Sequence, residues 1–128
     1  MHSDAQTFLF AQLHVEFDLP KSENAINKIV EMRIFTEKTL KEFAALHPDA
    51  LLPLQIWADI VESSHWTCYA DVKQTFNTVD GIGNQRYIFD IKGNTYRIVT
   101  VIKFTIGFVY IRFVGTHKEY DKIDCLTI

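Results

Sequence analysis

Between Tyr87 and Val114 three strand-like runs are separated by two turn signals, and this stretch limits the fold more than any other. Tyr87 to Ile91 is rich in β-branched and aromatic residues, Lys92-Gly93-Asn94 is a tight turn, and Tyr96 to Phe104 is a second run. Gly107 marks the next turn, and Phe108 to Val114 is a third run. Strands joined by so few residues must pair as antiparallel neighbours. From Trp66 onward the chain is rich in Val, Ile, Phe and Tyr with Gly/Asn punctuation, so the sheet is expected to occupy this whole half.

The preceding half has helical spacing. Thr36-Glu37 reads as a helix start, and Leu40, Phe43, Ala44 and His47 recur at i, i+3, i+4 and i+7 until Pro48 intervenes. Asp49 is expected to cap a second helix from about Ala50 to Ser64, with Leu51, Leu54, Ile56, Trp57, Ile60 and Val61 on one stripe and Pro53 in the first turn. The short HPD junction predicts a helical hairpin. Further upstream, QLHVEFDL (residues 12–19) alternates like a strand, and Ser22 or Asn24 could cap a short helix carrying Ala25, Ile26, Ile29 and Val30. Helices followed by a meander make an α+β plan.

The 128 residues suit one domain, and 48% hydrophobic with 23% charged residues describes a globular chain with a core, not a disordered one. No apolar run reaches membrane-spanning length and MHSDAQ lacks a basic leader region, so a cytoplasmic location is expected. Cys68 and Cys125 show neither CxxC nor zinc spacing and read as reduced, structural residues. The net charge of −3 lies wholly in residues 1–31, where Lys21 and Lys28 face Asp4, Glu16, Asp18, Glu23 and Glu31. Residues 86–122 instead hold seven Lys/Arg against three acidic groups, a local net of +4 that favours an anionic partner there.

The segment GTHKEYDKID, residues 115–124, concentrates titratable groups at the end of the last strand. His117, Glu119 and Asp121 alternate as metal ligands might, but such spacing is common in a polar turn, and no metal or cofactor is expected. GIGN at 81–84 lacks the following helix that a phosphate loop needs and reads as a turn. The period of two places Arg97, Val99, Val101 and Lys103 on one face of their strand, with Tyr96, Ile98, Thr100 and Ile102 on the other. In the next strand it groups Tyr110, Arg112 and Val114 against Val109, Ile111 and Phe113. Arg97, Lys103 and Arg112 would then share one concave surface, with His117 and Tyr120 just past its end. A solvated sheet face would also place charges on alternate residues, and periodicity alone leaves both readings open.

The stretch GNTYRIVTVIKFTIGFVYIRFVGTHKEYDKID, residues 93–124, closely resembles the signature of the HigB family of bacterial toxins, relatives of the RelE-type messenger-RNA interferases. HWTCYADVKQTFNTVDGIGNQRYIFDI, residues 65–91, is similar to the same family, and MRIFTEKTLKEFAALHPDALLPLQIW, residues 32–57, resembles its start. The resemblance implies a RelE-like fold, two N-terminal helices packed on a curved antiparallel sheet. It implies a toxin of a type II toxin–antitoxin system: an endoribonuclease acting on messenger RNA on the ribosome, neutralised by a helix-turn-helix, HigA-like antitoxin, within complexes that can be of higher order. Residues 1–31 fall outside it, so an N-terminal extension or a mis-assigned start is expected, with residues 32–128 as the toxin domain.

Metal-independent cleavage of RNA by its own 2′-OH requires removing one proton, supplying another to the leaving 5′-oxygen and stabilising charge on the phosphorane. On this reading Arg97, Arg112, His117 and Tyr120 are the catalytic candidates. Guanidinium suits phosphate oxygens, an imidazole with an ordinary pKa near ~6.5 transfers protons both ways at neutral pH, and a phenol can position, donate or stack. Lys73, Lys103 and Lys118 are candidate RNA-backbone contacts. Asn94 is expected to serve its turn. The alternatives are a non-catalytic RNA- or protein-binding module of the same fold, or a metal hydrolase built on His117, Glu119 and Asp121.

Overall fold

The computed structural model describes residues 31–128, so the strand and short helix expected before residue 31 lie outside the described residues. The elements run β1 (Arg33–Phe35), α1 (Glu37–Leu46), a 3-10 turn (Pro48–Ala50), α2 (Leu51–Glu62), α3 (Tyr69–Thr75), β2 (Asp80–Gly83), β3 (Arg86–Ile91), β4 (Tyr96–Lys103), β5 (Phe108–Thr116) and α4 (His117–Tyr120). They form an α+β domain around one five-stranded sheet of order β1-β5-β4-β3-β2. β2 to β5 make the expected antiparallel meander, but β1 pairs parallel to β5, so the sheet is mixed and not wholly antiparallel.

The apolar stripes of α1 and α2 bury Leu40, Phe43, Ala44, Leu54, Trp57, Ala58 and Val61 against Ile34, Phe89, Ile91, Tyr96, Ile98, Ile102, Val109 and Ile111. Phe89 is the centre of this core, 1% exposed, with the Trp57, Phe76 and Trp66 rings at 5.2, 5.2 and 6.3 Å. Burying such rings supplies area and edge-to-face geometry together.

Asp49 does not cap α2. Its carboxylate accepts from Lys92 Nζ at 2.7 Å and Tyr96 Oη at 2.6 Å, tying the helical junction to the β3–β4 turn. Those bonds hold Lys92 at φ 53°, a left-handed conformation unfavourable for a side-chain-bearing residue. The segment after Trp66 is also not sheet throughout. Tyr69, Val72 and Phe76 follow helical spacing, Thr67 donates its N–H and hydroxyl to Asp71 Oδ2, both at 2.9 Å, and Trp66 Nε1 donates to Thr75 Oγ1 at 3.0 Å. The result is α3, closed on the sheet by the buried Val72.

A bulge corrects the face assignment of β5. Val99 pairs with Phe113 and Thr100 with Ile111, which leaves Arg112 as the extra residue and reverses the alternation beyond it. Val114 therefore packs with Val109 and Ile111 against the helical core, while Phe113 joins Tyr110 on the outer face.

Candidate functional site

The outer face of the sheet, opposite the helices, carries Arg97. β3 and β5 flank it, with Asp90 and Gly115 as its register partners. Its Nε lies 3.3 Å from Asp90 Oδ1, its Nη2 donates to Asn94 Oδ1 at 3.4 Å, and its Cζ sits 4.6 Å from the centre of the Tyr120 ring. With a side chain only 19% exposed, this guanidinium is fixed in plane and position.

Tyr120 and His117 are presented by α4, the helix that the polar run at 117–121 forms instead of a plain turn. Its start is a capping box, T-x-x-E. Glu119 N–H donates to Thr116 Oγ1 at 3.1 Å, and Thr116 N–H donates to Glu119 Oε1 at 2.8 Å. Gly115 leaves room here: a Cβ would lie 2.5 Å from Phe113 Cζ and 2.9 Å from Glu119 Oε1, so one of these side chains would have to shift. The His117 and Tyr120 ring centres are 6.2 Å apart, and His117 Nδ1 is 3.6 Å from Asp121 Oδ2. Partial burial, then the neighbouring Cys125, push the Tyr120 phenol above its usual range, with Arg97 opposing. At neutral pH it is a protonated donor.

The fold therefore brings Arg97, His117 and Tyr120 together. Arg112 shares the outer face but stands apart on the bulge, exposed and without an ion-pair or hydrogen-bond partner among the described residues. Lys103 lies further along β4, bonded through Nζ to Gln85 Oε1, and Lys118 is exposed on α4. Lys73 is elsewhere: it belongs to α3 on the helical side, and its Nζ donates to the Val79 carbonyl at 3.0 Å. Glu119 is turned back onto Thr116, so the alternating trio of His117, Glu119 and Asp121 does not converge, and no cluster of three potential metal ligands occurs among the described residues. Neither cysteine is fully buried; Cys68 is exposed and Cys125 lies against Tyr120.

Reading the sequence missed Asp90, although the hairpin register about Lys92–Asn94 places it opposite Arg97. It also missed the positioning part of Glu119, signalled by the T-x-x-E spacing, and the second anchor of the C-terminal segment. There Asn84 Nδ2 donates to the Leu126 carbonyl at 2.9 Å and Arg86 Nη2 to that of Ile128 at 2.5 Å. That segment thus runs from Tyr120, above Arg97, to the start of β3. Ile88, Val99 and Val101, on the same face, are 2%, 0% and 8% exposed.

Residues 50–123 match the HigB toxin family, described as the RelE-like toxic component of a toxin–antitoxin system. The chain is 30% identical over 92 residues to the mRNA interferase toxin HigB of Escherichia coli K12, covering 70% of this chain and 88% of that protein. An mRNA interferase HigB of Shigella flexneri shows the same identity and coverage. That of Escherichia coli O6:H1 is 23% identical over 94 residues, 72% of this chain and 91% of the relative. The family match runs from α2 through α4 and includes Arg97, His117 and Tyr120, and with the 30% identity to the Escherichia coli K12 protein it shows that the chain belongs to the HigB toxin family.

Proposed function

We propose that this protein is a toxin that cleaves messenger RNA, with the end of the outer sheet face around Arg97, His117 and Tyr120 as its active site. The observation that carries this reading is the meeting of the Arg97 guanidinium from β4 with a phenol and an imidazole from α4, Arg97 at 4.6 Å from the Tyr120 ring and that ring at 6.2 Å from His117, on a face whose strands hold few carboxylates. His117 exchanges protons with the attacking 2′-OH and the leaving 5′-oxygen, and Tyr120, held neutral, donates to a phosphate oxygen or positions the imidazole. Arg97 and Arg112 stabilise the phosphorane charge, Arg97 as the anchored group and Arg112 as the free one. Lys103 and Lys118 contact the RNA backbone. No step requires a metal. The substrate is the transcript on the ribosome, and the neutralising partner is a helix-turn-helix antitoxin. Residues 32–128 form the toxin unit and 1–31 an addition to it, to be checked by N-terminal sequencing of the native protein.

Expression of the full chain without an antitoxin is expected to arrest growth, with primer extension showing internal transcript cuts that persist in chelator. His117→Ala and Arg97→Ala should abolish the cuts. Arrest without cuts would instead favour a second reading, a binding module that has lost cleavage, to which the pairing of Arg97 with Asp90 at 3.3 Å lends support. Neither arrest nor cuts from soluble protein would remove the enzyme reading.

A further inference from the structure

The outer face holds a second group that this chemistry does not use. Phe35 stacks on Tyr110 with ring centres 5.4 Å apart and planes at 25°, and Phe108 closes edge-on at 4.7 Å from Phe35 and 6.0 Å from Tyr110. All three residues are half-buried, none fully so. Tyr110 is the register partner of Val101, four positions along β4 from Arg97, so its place on the same surface is offset by about 13 Å along the strand from that of Arg97. β1, β4 and β5 contain no carboxylate, whereas Arg33 and Lys103 both pair in register with Phe108, and Arg112 follows Tyr110 by two residues. Edge-strand aromatics alone could simply blunt the edge. A part-exposed aromatic cluster on strands that carry cations and no carboxylate fits a ligand that is anionic along its backbone and flat and apolar in its units, which is single-stranded RNA.

Resting on the RNA-cleaving reading above, we infer that Phe35, Phe108 and Tyr110 form a stacking platform for a base near the scissile phosphate, with Arg33 and Lys103 on the flanking phosphates. The platform fixes where along the strand the cut falls. The test uses the full chain and a single-stranded oligoribonucleotide carrying 2-aminopurine, with every 2′-OH methylated so that it binds uncut. Stacking quenches the fluorophore. Phe35→Leu with Tyr110→Leu keeps the apolar packing but removes the ring faces; it should lose the quench and weaken binding roughly 5- to 100-fold. Phe35→Trp and Tyr110→Phe should keep both. Leu variants that quench and bind like a binding-competent parent would overturn the platform while leaving the active site intact. Leu variants that retain RNA but escape neutralisation by co-expressed antitoxin would make the cluster a protein-docking surface, and also overturn it. A parent that neither binds the oligonucleotide nor cuts transcripts would overturn both readings.

Discussion

Arg97 lies with its guanidinium carbon 4.6 Å from the ring centre of Tyr120, and this stack joins the sheet to the short helix that carries His117. A cation over an aromatic face is worth about 0.5–2 kcal/mol, more as water is excluded. The stack and the phenolic proton can be separated. Tyr120→Phe keeps the ring beneath Arg97 and should leave the thermal midpoint close to that of the parent, while transcript cleavage falls. Tyr120→Leu should lower both. Equal cleavage by Tyr120→Phe and the parent would show that the hydroxyl has no part in the reaction.

Gly115→Ala should be costly although it removes no titratable group. The new Cβ would meet Phe113 Cζ at 2.5 Å and Glu119 Oε1 at 2.9 Å, so the ring or the capping carboxylate must move. Overpacking of this kind costs about 1–3 kcal/mol. The denaturation midpoint should drop at unchanged slope, and cleavage should fall further than stability alone requires, because α4 aims His117 and Tyr120. A midpoint equal to that of the parent would mean that the turn relaxes freely.

How much of this was legible in the sequence depends on whether a feature is local. The β3–β4 and β4–β5 hairpins follow from the period of two and the turn residues, and α1 from its apolar stripe. β1 was not legible, since three residues give no period and its partner lies 75 positions away, Phe108 facing Arg33. The bulge at Arg112 defeats parity counting, which is why Val114 and Phe113 exchange faces. α3 hides its helical spacing among residues that favour strands, and tertiary bonds from Trp66 and Thr67 decide the outcome. Of the site, Arg97, His117 and Tyr120 could be nominated from residue type and family likeness, but their meeting depends on where β5 ends and α4 begins.

The clasp on Asp49 should make stability fall in acid. Hydrogen bonds from Lys92 and then Tyr96 hold the Asp49 carboxyl below its ordinary 3.8, so the folded state favours the ionised form. A depressed carboxylate contributes stability that is fully present above the unfolded value and is lost as pH falls through the folded one. Asp49→Asn should therefore lower the melting temperature at pH 7 by an amount that stays constant down to about pH 3.8 and shrinks as the pH falls further, through the folded-state value. Melting curves that stay parallel as the pH falls well below that value would exclude the clasp as a source of acid sensitivity.

Arg112 offers a test of charge free of packing, because it is exposed, stands on the bulge and has no ion-pair or hydrogen-bond partner among the described residues. Its removal leaves no buried group unsatisfied, so Arg112→Gln should unfold like the parent. Its effect should appear against RNA. Each phosphate neutralised on a single strand contributes roughly 0.7 to the slope of log affinity against log salt. Binding of the uncleavable oligoribonucleotide by Arg112→Gln should lose about that much slope, with the deficit largest at low salt and fading as salt rises. Arg97→Gln should behave differently, since Arg97 is already paired with Asp90 and stacked on Tyr120: there the loss should include stability and persist at high salt. Identical salt slopes for the parent and Arg112→Gln would place Arg112 outside the RNA path.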